Sequence, residues 1–256
     1  MNRERNQGLR PFWNYYGGKW RAAPHYPAPV YGTIVEPFAG AAGYSLRYPS
    51  LRVVLVERYA VIAEMWRFLI GASPADIRAI PVVENIDDLP SSVPEGGRYL
   101  VGFLLNAAAA RPCRTLSAGL RRQLARGIVL NSWGEKRRER IAQQVDVIRH
   151  WQIIEGDYAE APDIEATWFV DPPYQVAGRH YVHSDVDYET LGAWCRARRG
   201  QVLVCENEGA DWLPFRRHMS AKAWPGRAHS AEVLWSSGSP YQMDLALSVS
   251  TEEAPE

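Results

Sequence analysis

The chain of 256 residues has only three cysteines, Cys113, Cys195 and Cys205. Their number is odd and no two stand at metal-ligand spacing, which argues against a disulfide framework or a cysteine-based zinc site. Net charge is also missing: 29 Lys and Arg balance 29 Asp and Glu. That excludes a protein that coats polyanions with its whole surface, but says nothing of local patches. No apolar run reaches the ~18 residues of a membrane span. The first thirty residues are polar, aromatic and basic and lack the apolar centre of a signal peptide. A soluble, cytoplasmic protein in a reducing compartment is expected. His180 and His183 have no third ligand in place, so no metal is expected. The length suits one large domain, or one domain with a small insert.

What is present centres on Ala166–Tyr174. Trp168 to Val170 read as the end of a buried strand, stopped by turn residues. Asp171 then stands at the carboxyl end of that strand, the edge at which ligands bind in open α/β sheets. Pro172 and Pro173 fix φ and remove two backbone donors. A carboxylate, open carbonyls and the Tyr174 ring are thus held within four residues. That set suits a planar substrate bearing an amino group: Asp171 and the Pro172 carbonyl accept its hydrogens, and Tyr174 stacks on its ring. A lone Asp-Pro-Pro is more often a turn with a solvated cap; the apolar strand before it and the tyrosine after it favour the chemical reading.

Other segments point the same way. Tyr15-Tyr16-Gly17-Gly18-Lys19-Trp20 places paired glycines, which allow close backbone approach, beside a charge. By itself this is more often a turn with a solvated lysine. Thr33–Val35 reads as a strand running into Glu36-Pro37-Phe38-Ala39-Gly40-Ala41-Ala42-Gly43, with a helix expected after it. Strand, small-residue loop and helix is a nucleotide-binding order, though the spacing is not G-x-G-x-x-G. Arg52–Glu57 reads as a second strand ending in an acid 17 residues beyond Gly40, a position that commonly accepts from ribose hydroxyls. A core-facing helix is expected near 60–70, an irregular connection over 72–97, and a helix from about Arg98 toward Arg111.

Residues 111–149 carry ten Lys and Arg against three Asp and Glu, a local balance of +7. With Ser, Thr and Asn interleaved, they suit a phosphate backbone, although most such charge runs are solvated helix faces. Ser132-x-x-Glu135 has the pattern of a capping box, starting a helix that turns Ile141, Val145 and Ile148 inward. Trp151–Tyr158 reads as another strand ending in an acid, and Gln201–Glu206 as the next. Residues 232–235 and 241–247 alternate like a closing antiparallel hairpin. Residues 1–14 and 250–256 read as loosely packed.

Taken in order, the Gly-Gly-Lys segment, the Pro-Phe-x-Gly loop, a variable insert and Asp171-Pro172-Pro173-Tyr174 resemble the D12 class of N6-adenine DNA methyltransferases, which includes Dam-like enzymes. The resemblance runs from about Tyr15 to Val249. It implies a Rossmann-like α/β fold for S-adenosylmethionine-dependent methyltransferases: a catalytic domain over 1–90 and 151–256, and a helical target-recognition insert over 91–150. It implies that Tyr16, Gly18, Lys19, Glu36, Phe38, Ala39, Gly40, Glu57, Asp157, Tyr158 and Asp171 hold S-adenosylmethionine. Lys19 reaches toward the cofactor or the Asp171 carboxylate. Asp157 and Tyr158 lie beside the adenine of the cofactor. Arg111, Arg114, Arg121, Arg122, Arg137 and Arg138 approach double-stranded DNA, and Tyr181 lies near a flipped base. The expected reaction is methylation of adenine N6 in DNA. The alternatives are an amino methyltransferase acting on cytosine N4, RNA adenine or a protein amide, and a catalytically silent DNA-binding relative. Glu36 departs from the family's more frequent Asp.

Overall fold

The computed structural model describes residues 8–106, 110–126, 132–175, 182–220 and 231–237. The expected contacts of Tyr181, the loop around Gly178, the second hairpin arm at 241–247 and the tail at 250–256 lie outside the described residues.

Seven strands form one sheet: β1 Thr33–Glu36, β2 Arg52–Glu57, β3 Gln152–Glu155, β4 Ala166–Val170, β5 Gly200–Asn207, β6 Arg216–Ser220 and β7 Ala231–Ser237. Their order is β3-β2-β1-β4-β5-β7-β6. The first five in that order are parallel, and β7 runs antiparallel to both β5 and β6. The central strands are apolar on both faces, as parallel strands covered on both sides must be. In β4, Phe169 joins one core and Trp168 and Val170 the other. In β2, Val53 and Leu55 face the first core and Val54 and Val56 the second.

The first core is covered by α1 Ala60–Gly71, α3 Glu95–Leu105 and α5 Glu135–Ala142, and the second by α6 Tyr188–Arg196. Gly96 brings α1 and α3 together: a Cβ there would lie 2.5 Å from the Glu64 carbonyl oxygen and from Phe68 Cβ. Within 91–150 the helices differ. Ile141 and Ala142 of α5, with Val145 and Ile148 beyond it, are fully buried in the first core, whereas α4 Ala118–Ala125 buries no residue.

Several expectations are corrected. Residues 1–14 are not loose throughout: Phe12 and Trp13 are fully buried and pack on Trp66. No α-helix follows Gly43. One 3₁₀ turn, Ser45–Arg47, stands there, because Pro49 drives Tyr48 out of helical geometry. The connection over 72–97 contains α2 Pro74–Ala79, capped by Ser73 in a capping box with Asp76, and the start of α3. That helix stops at Leu105. The Ser132-x-x-Glu135 capping box does not form, since Glu135 is the first residue of α5 and the cap position is Gly134. Trp133 sets this geometry. Its backbone N–H donates to the Leu104 carbonyl at 2.8 Å and its indole N–H to the Pro81 carbonyl at 2.9 Å, so the chain enters the helix only after the anchor. β7 pairs with β6 and β5, and neither β6 nor α6 was expected from the sequence.

Candidate active site

A cleft opens at the carboxyl edge of the sheet, where β1, β2 and β4 end. It encloses about 270 Å³, near the lower end of small-molecule sites. All eleven residues expected to hold the cofactor lie on its wall.

The loop after β1 is the floor. Gly40 takes a left-handed conformation (φ +43°), and so does buried Ala42 (φ 48°), a strained choice for a residue with a Cβ. The loop is pinned from both sides. The Gly40 N–H donates to Glu57 Oε2 at 2.9 Å, and the Trp66 indole N–H donates to the Gly40 carbonyl at 2.8 Å. Glu57 Oε1 accepts the Tyr59 N–H at 2.9 Å. The acid therefore shapes the glycine loop as well as facing the cleft. Burial raises its pKa, against the pull of those backbone donors. Glu36 is buried at the end of β1, where Oε1 accepts the Ser45 N–H at 2.7 Å. Burial pushes its carboxyl up to about 8.

The Gly-Gly-Lys segment closes one side. Gly17 supplies a positive φ of 73°, and the Gly18 N–H donates to the Tyr15 carbonyl at 3.2 Å. The segment is clamped beyond Lys19: the Arg47 guanidinium lies 3.6 Å from the centre of the Trp20 ring and donates to the Trp20 carbonyl at 2.6 Å. Gly43 passes beneath it. A Cβ on Gly43 would come within 2.5 Å of Trp20 N and 2.9 Å of Lys19 N. Lys19 is delivered to Asp171: Nζ lies 2.7 Å from Oδ1, with both side chains largely buried. Burial raises the Asp171 pKa, and the Lys19 charge opposes the rise.

The opposite wall carries Phe38 and Tyr158, stacked at 5.5 Å between ring centres and 29° apart. Asp157 caps the short turn beginning at Tyr158 by accepting the Ala159 N–H at 3.1 Å. Arg58, Tyr59, Asp185 and Asp187, overlooked in the sequence, complete the mouth with His183. Arg58 holds Asp185 through two hydrogen bonds, at 3.2 and 3.1 Å. Among the described residues, the wall carries six carboxyl groups (Glu36, Glu57, Asp157, Asp171, Asp185, Asp187) against the charges of Lys19 and Arg58.

The Asp-Pro-Pro-Tyr turn departs from expectation in two respects. The Pro173 carbonyl is not open, because the Tyr188 hydroxyl donates to it at 2.7 Å. Tyr174 is not on the cleft wall. Its hydroxyl donates to Glu232 Oε1 at 2.9 Å and the Lys19 ammonium sits 4.7 Å from its ring centre. A buried carboxylate needs donors, and Glu232, 9% exposed, draws the tyrosine inward. Nothing in the sequence near residue 171 announces Glu232.

The six arginines expected on a phosphate backbone separate. Arg111 and Arg122 are exposed, and the Arg111 charge bears on Tyr59 at the cleft mouth, opposing the rise that burial causes in its pKa. Arg114 and Arg121 are exposed and paired with Asp87 (2.6 Å) and Glu84 (3.6 Å). Arg138 donates to the Ile80 carbonyl and to Glu135. Arg137 is only 6% exposed, because it lies on the inner side of α5, so it is removed from the candidate phosphate-facing set.

No protein-family model matches the chain, and no curated protein matches its sequence. Two solved structures of the rRNA methyltransferase aviRa from Streptomyces viridochromogenes align with 92% of this chain and 90% of theirs, at 15% identity and a TM-score of 0.37. The sheet, five parallel strands followed by an antiparallel strand set between the fifth and the edge, with helices on both faces, is a Rossmann-like α/β fold.

Proposed function

We propose that the chain transfers a methyl group from S-adenosylmethionine to the exocyclic N6 amino group of adenine in DNA, as the D12-class enzymes that its motifs resemble do. The observation that carries this reading is the meeting, in one cleft, of the Gly40 loop, Glu57 and the Lys19–Asp171 pair. The cleft fits the cofactor chemically. An excess of carboxylates suits a ligand bearing a sulfonium and an ammonium group, Glu57 stands where ribose hydroxyls are accepted, and Phe38 and Tyr158 offer an aromatic flank to a purine.

The bound cofactor supplies an electrophilic methyl group. The protein's task is to prepare a poor nucleophile, since the lone pair of the adenine amino nitrogen is delocalised into its ring. Asp171 and the Pro172 carbonyl accept the two amino hydrogens and favour a nitrogen whose lone pair is available. Lys19 keeps the Asp171 carboxylate in one orientation. Positioning of this kind contributes much of the rate of such a transfer. A base within a duplex cannot enter the cleft and has to be flipped out. Exposed Arg111 and Arg122, with Arg114 and Arg121 after exchange of their acidic partners, offer contacts to the flanking phosphates.

The test is transfer of tritium from labelled S-adenosylmethionine to unmethylated duplex DNA, followed by nucleoside analysis. Label in N6-methyladenine is the expected result. Label found instead in N4-methylcytosine, or in RNA offered in parallel, would replace the substrate and leave the reaction class. Failure to bind the cofactor at all would leave a silent relative.

A further inference from the structure

The start of β7 contributes to the candidate centre, and the reading above gives it no part. Because β7 runs antiparallel to β5, with Glu232 opposite Asn207, its first residues reach the carboxyl edge where β4 and β5 end. Glu232 Oε1 there accepts two phenol hydroxyls, from Tyr26 at 2.5 Å and from Tyr174 at 2.9 Å. It also lies 3.7 Å from Lys19 Nζ, the same ammonium that meets Asp171 at 2.7 Å. One cation thus faces two carboxylates.

We propose that Glu232 is a positioning residue of the methyl-transfer centre, holding Lys19 and Tyr174 so that Asp171 presents its carboxylate to the substrate amino group. For its substrate this rests on the reading in the preceding subsection. A buried acid is costly and a well-packed apolar residue is often the more stable choice. Here the acid ties two segments that are remote in sequence to one oxygen: Lys19 and Tyr26 near the amino end and Tyr174 after β4. Tyr174 itself is gripped at both ends, its hydroxyl by Glu232 and its ring by the Lys19 charge.

The arrangement has an electrostatic consequence that plain packing lacks. The groups facing Asp171 are Lys19 from the glycine segment, Glu36 from β1, Cys205 and Glu206 from β5, Glu232 from β7, and the phenols of Tyr26 and Tyr174. Burial keeps the Cys205 thiol and both phenols neutral by pushing their pKa values up. Glu232 is an acid whose negative charge opposes ionisation of Asp171, while Lys19 favours it. Removing the Glu232 charge therefore moves Asp171 toward lower pH. Removing the Tyr26 hydroxyl takes a donor from Glu232 and keeps its carboxyl group, so it separates loss of the hydrogen bond from loss of the charge.

The experiment compares wild type, Glu232→Gln and Tyr26→Phe in the full chain. Glutamine keeps an oxygen acceptor for both tyrosines and loses only the charge. The Asp171 carboxyl is titrated by NMR with carbon-13-labelled aspartate, its signal assigned as the one missing from Asp171→Asn. The same proteins are assayed for kcat against pH. The expected result is displacement of the Asp171 titration to lower pH in Glu232→Gln, which Tyr26→Phe does not reproduce. In Glu232→Gln the acid limb of kcat should also move to lower pH, with kcat at its plateau falling roughly tenfold to a hundredfold. Should Glu232→Gln fail to fold, Glu232→Leu, which also removes the charge, carries the test. An Asp171 titration at its wild-type position in the folded charge-removing variant overturns the proposal. The NMR arm needs no substrate. Wild-type protein that makes no N6-methyladenine refutes the substrate reading separately and leaves the electrostatic result intact.

Discussion

At the scale of single residues, the site is a set of acids whose burial sets their behaviour. Asp171 is expected to act as the acceptor of the amino hydrogens, so Asp171→Asn should lower kcat by roughly a hundredfold or more while calorimetry still records cofactor binding. Loss of binding along with turnover would assign Asp171 to the cofactor instead. Glu36 leads to a prediction about stability. Burial lifts its folded carboxyl to about 8 from the ordinary 4.5. Between those values the unfolded chain has already released the proton that the folded chain retains, so stability falls as pH rises from about 4.5 to about 8. Glu36→Gln cannot titrate, so its melting temperature should rise relative to wild type on going from pH 5 to pH 8. Parallel curves would show that the burial cost is compensated elsewhere. Residue types at the cleft were legible in the sequence because glycine, lysine and acid stand beside strand ends. Arg137 and Tyr174 were misjudged because their roles depend on what faces them across the fold. Arg137 lies on an inward helix side, and Tyr174 answers to an acid 58 residues away.

At the scale of elements, the parallel strands were readable as short apolar runs because both of their faces are covered. β6 carries Arg216, Arg217 and His218 at the sheet edge and gives no alternating signal. α6 is a single short amphipathic helix whose cap, Asp187 accepting from Glu189 and Thr190, was the signal available. Two glycines test how the elements meet. Gly96→Ala places a Cβ against the backbone of α1 and should cost about 1–3 kcal/mol, read from denaturant unfolding, with little effect on cofactor affinity. Gly43→Ala collides with the backbone of the Lys19–Trp20 segment instead. It should destabilise by a similar amount and also weaken cofactor binding, because the displaced segment carries Lys19. Equal effects of the two substitutions on cofactor affinity would contradict this division.

At the scale of the whole molecule, the chain is neutral overall while residues 111–149 carry a local balance of +7. Nucleic-acid affinity should therefore fall steeply with added salt, and Arg111→Ala or Arg122→Ala should each reduce the slope of log K against log salt by about one. Arg137→Ala should instead destabilise the fold. A salt slope unchanged in both exposed variants would place the nucleic acid on another face. The basic balance of 111–149 was legible from composition, and the inward face of α5 from its apolar stripe, Ile141, Val145 and Ile148. The burial of Arg137 on that helix was not, because three arginines in four residues read as a solvated face.

The hydrogen bond between Tyr26 and Glu232 spans 206 residues. A ribosome adding about 5–20 residues per second takes on the order of ten to forty seconds to bridge that interval. Throughout it the growing polypeptide has its glycine loop, and later its Asp-Pro-Pro-Tyr turn, without the acid that ties them together. Until β7 is made, β5 is also an open sheet edge, prone to pairing with another chain. The strand that covers this edge is the one that delivers Glu232. Completion of the sheet and completion of the candidate centre are thus one event, and the strand that builds the second also covers an open edge of the first.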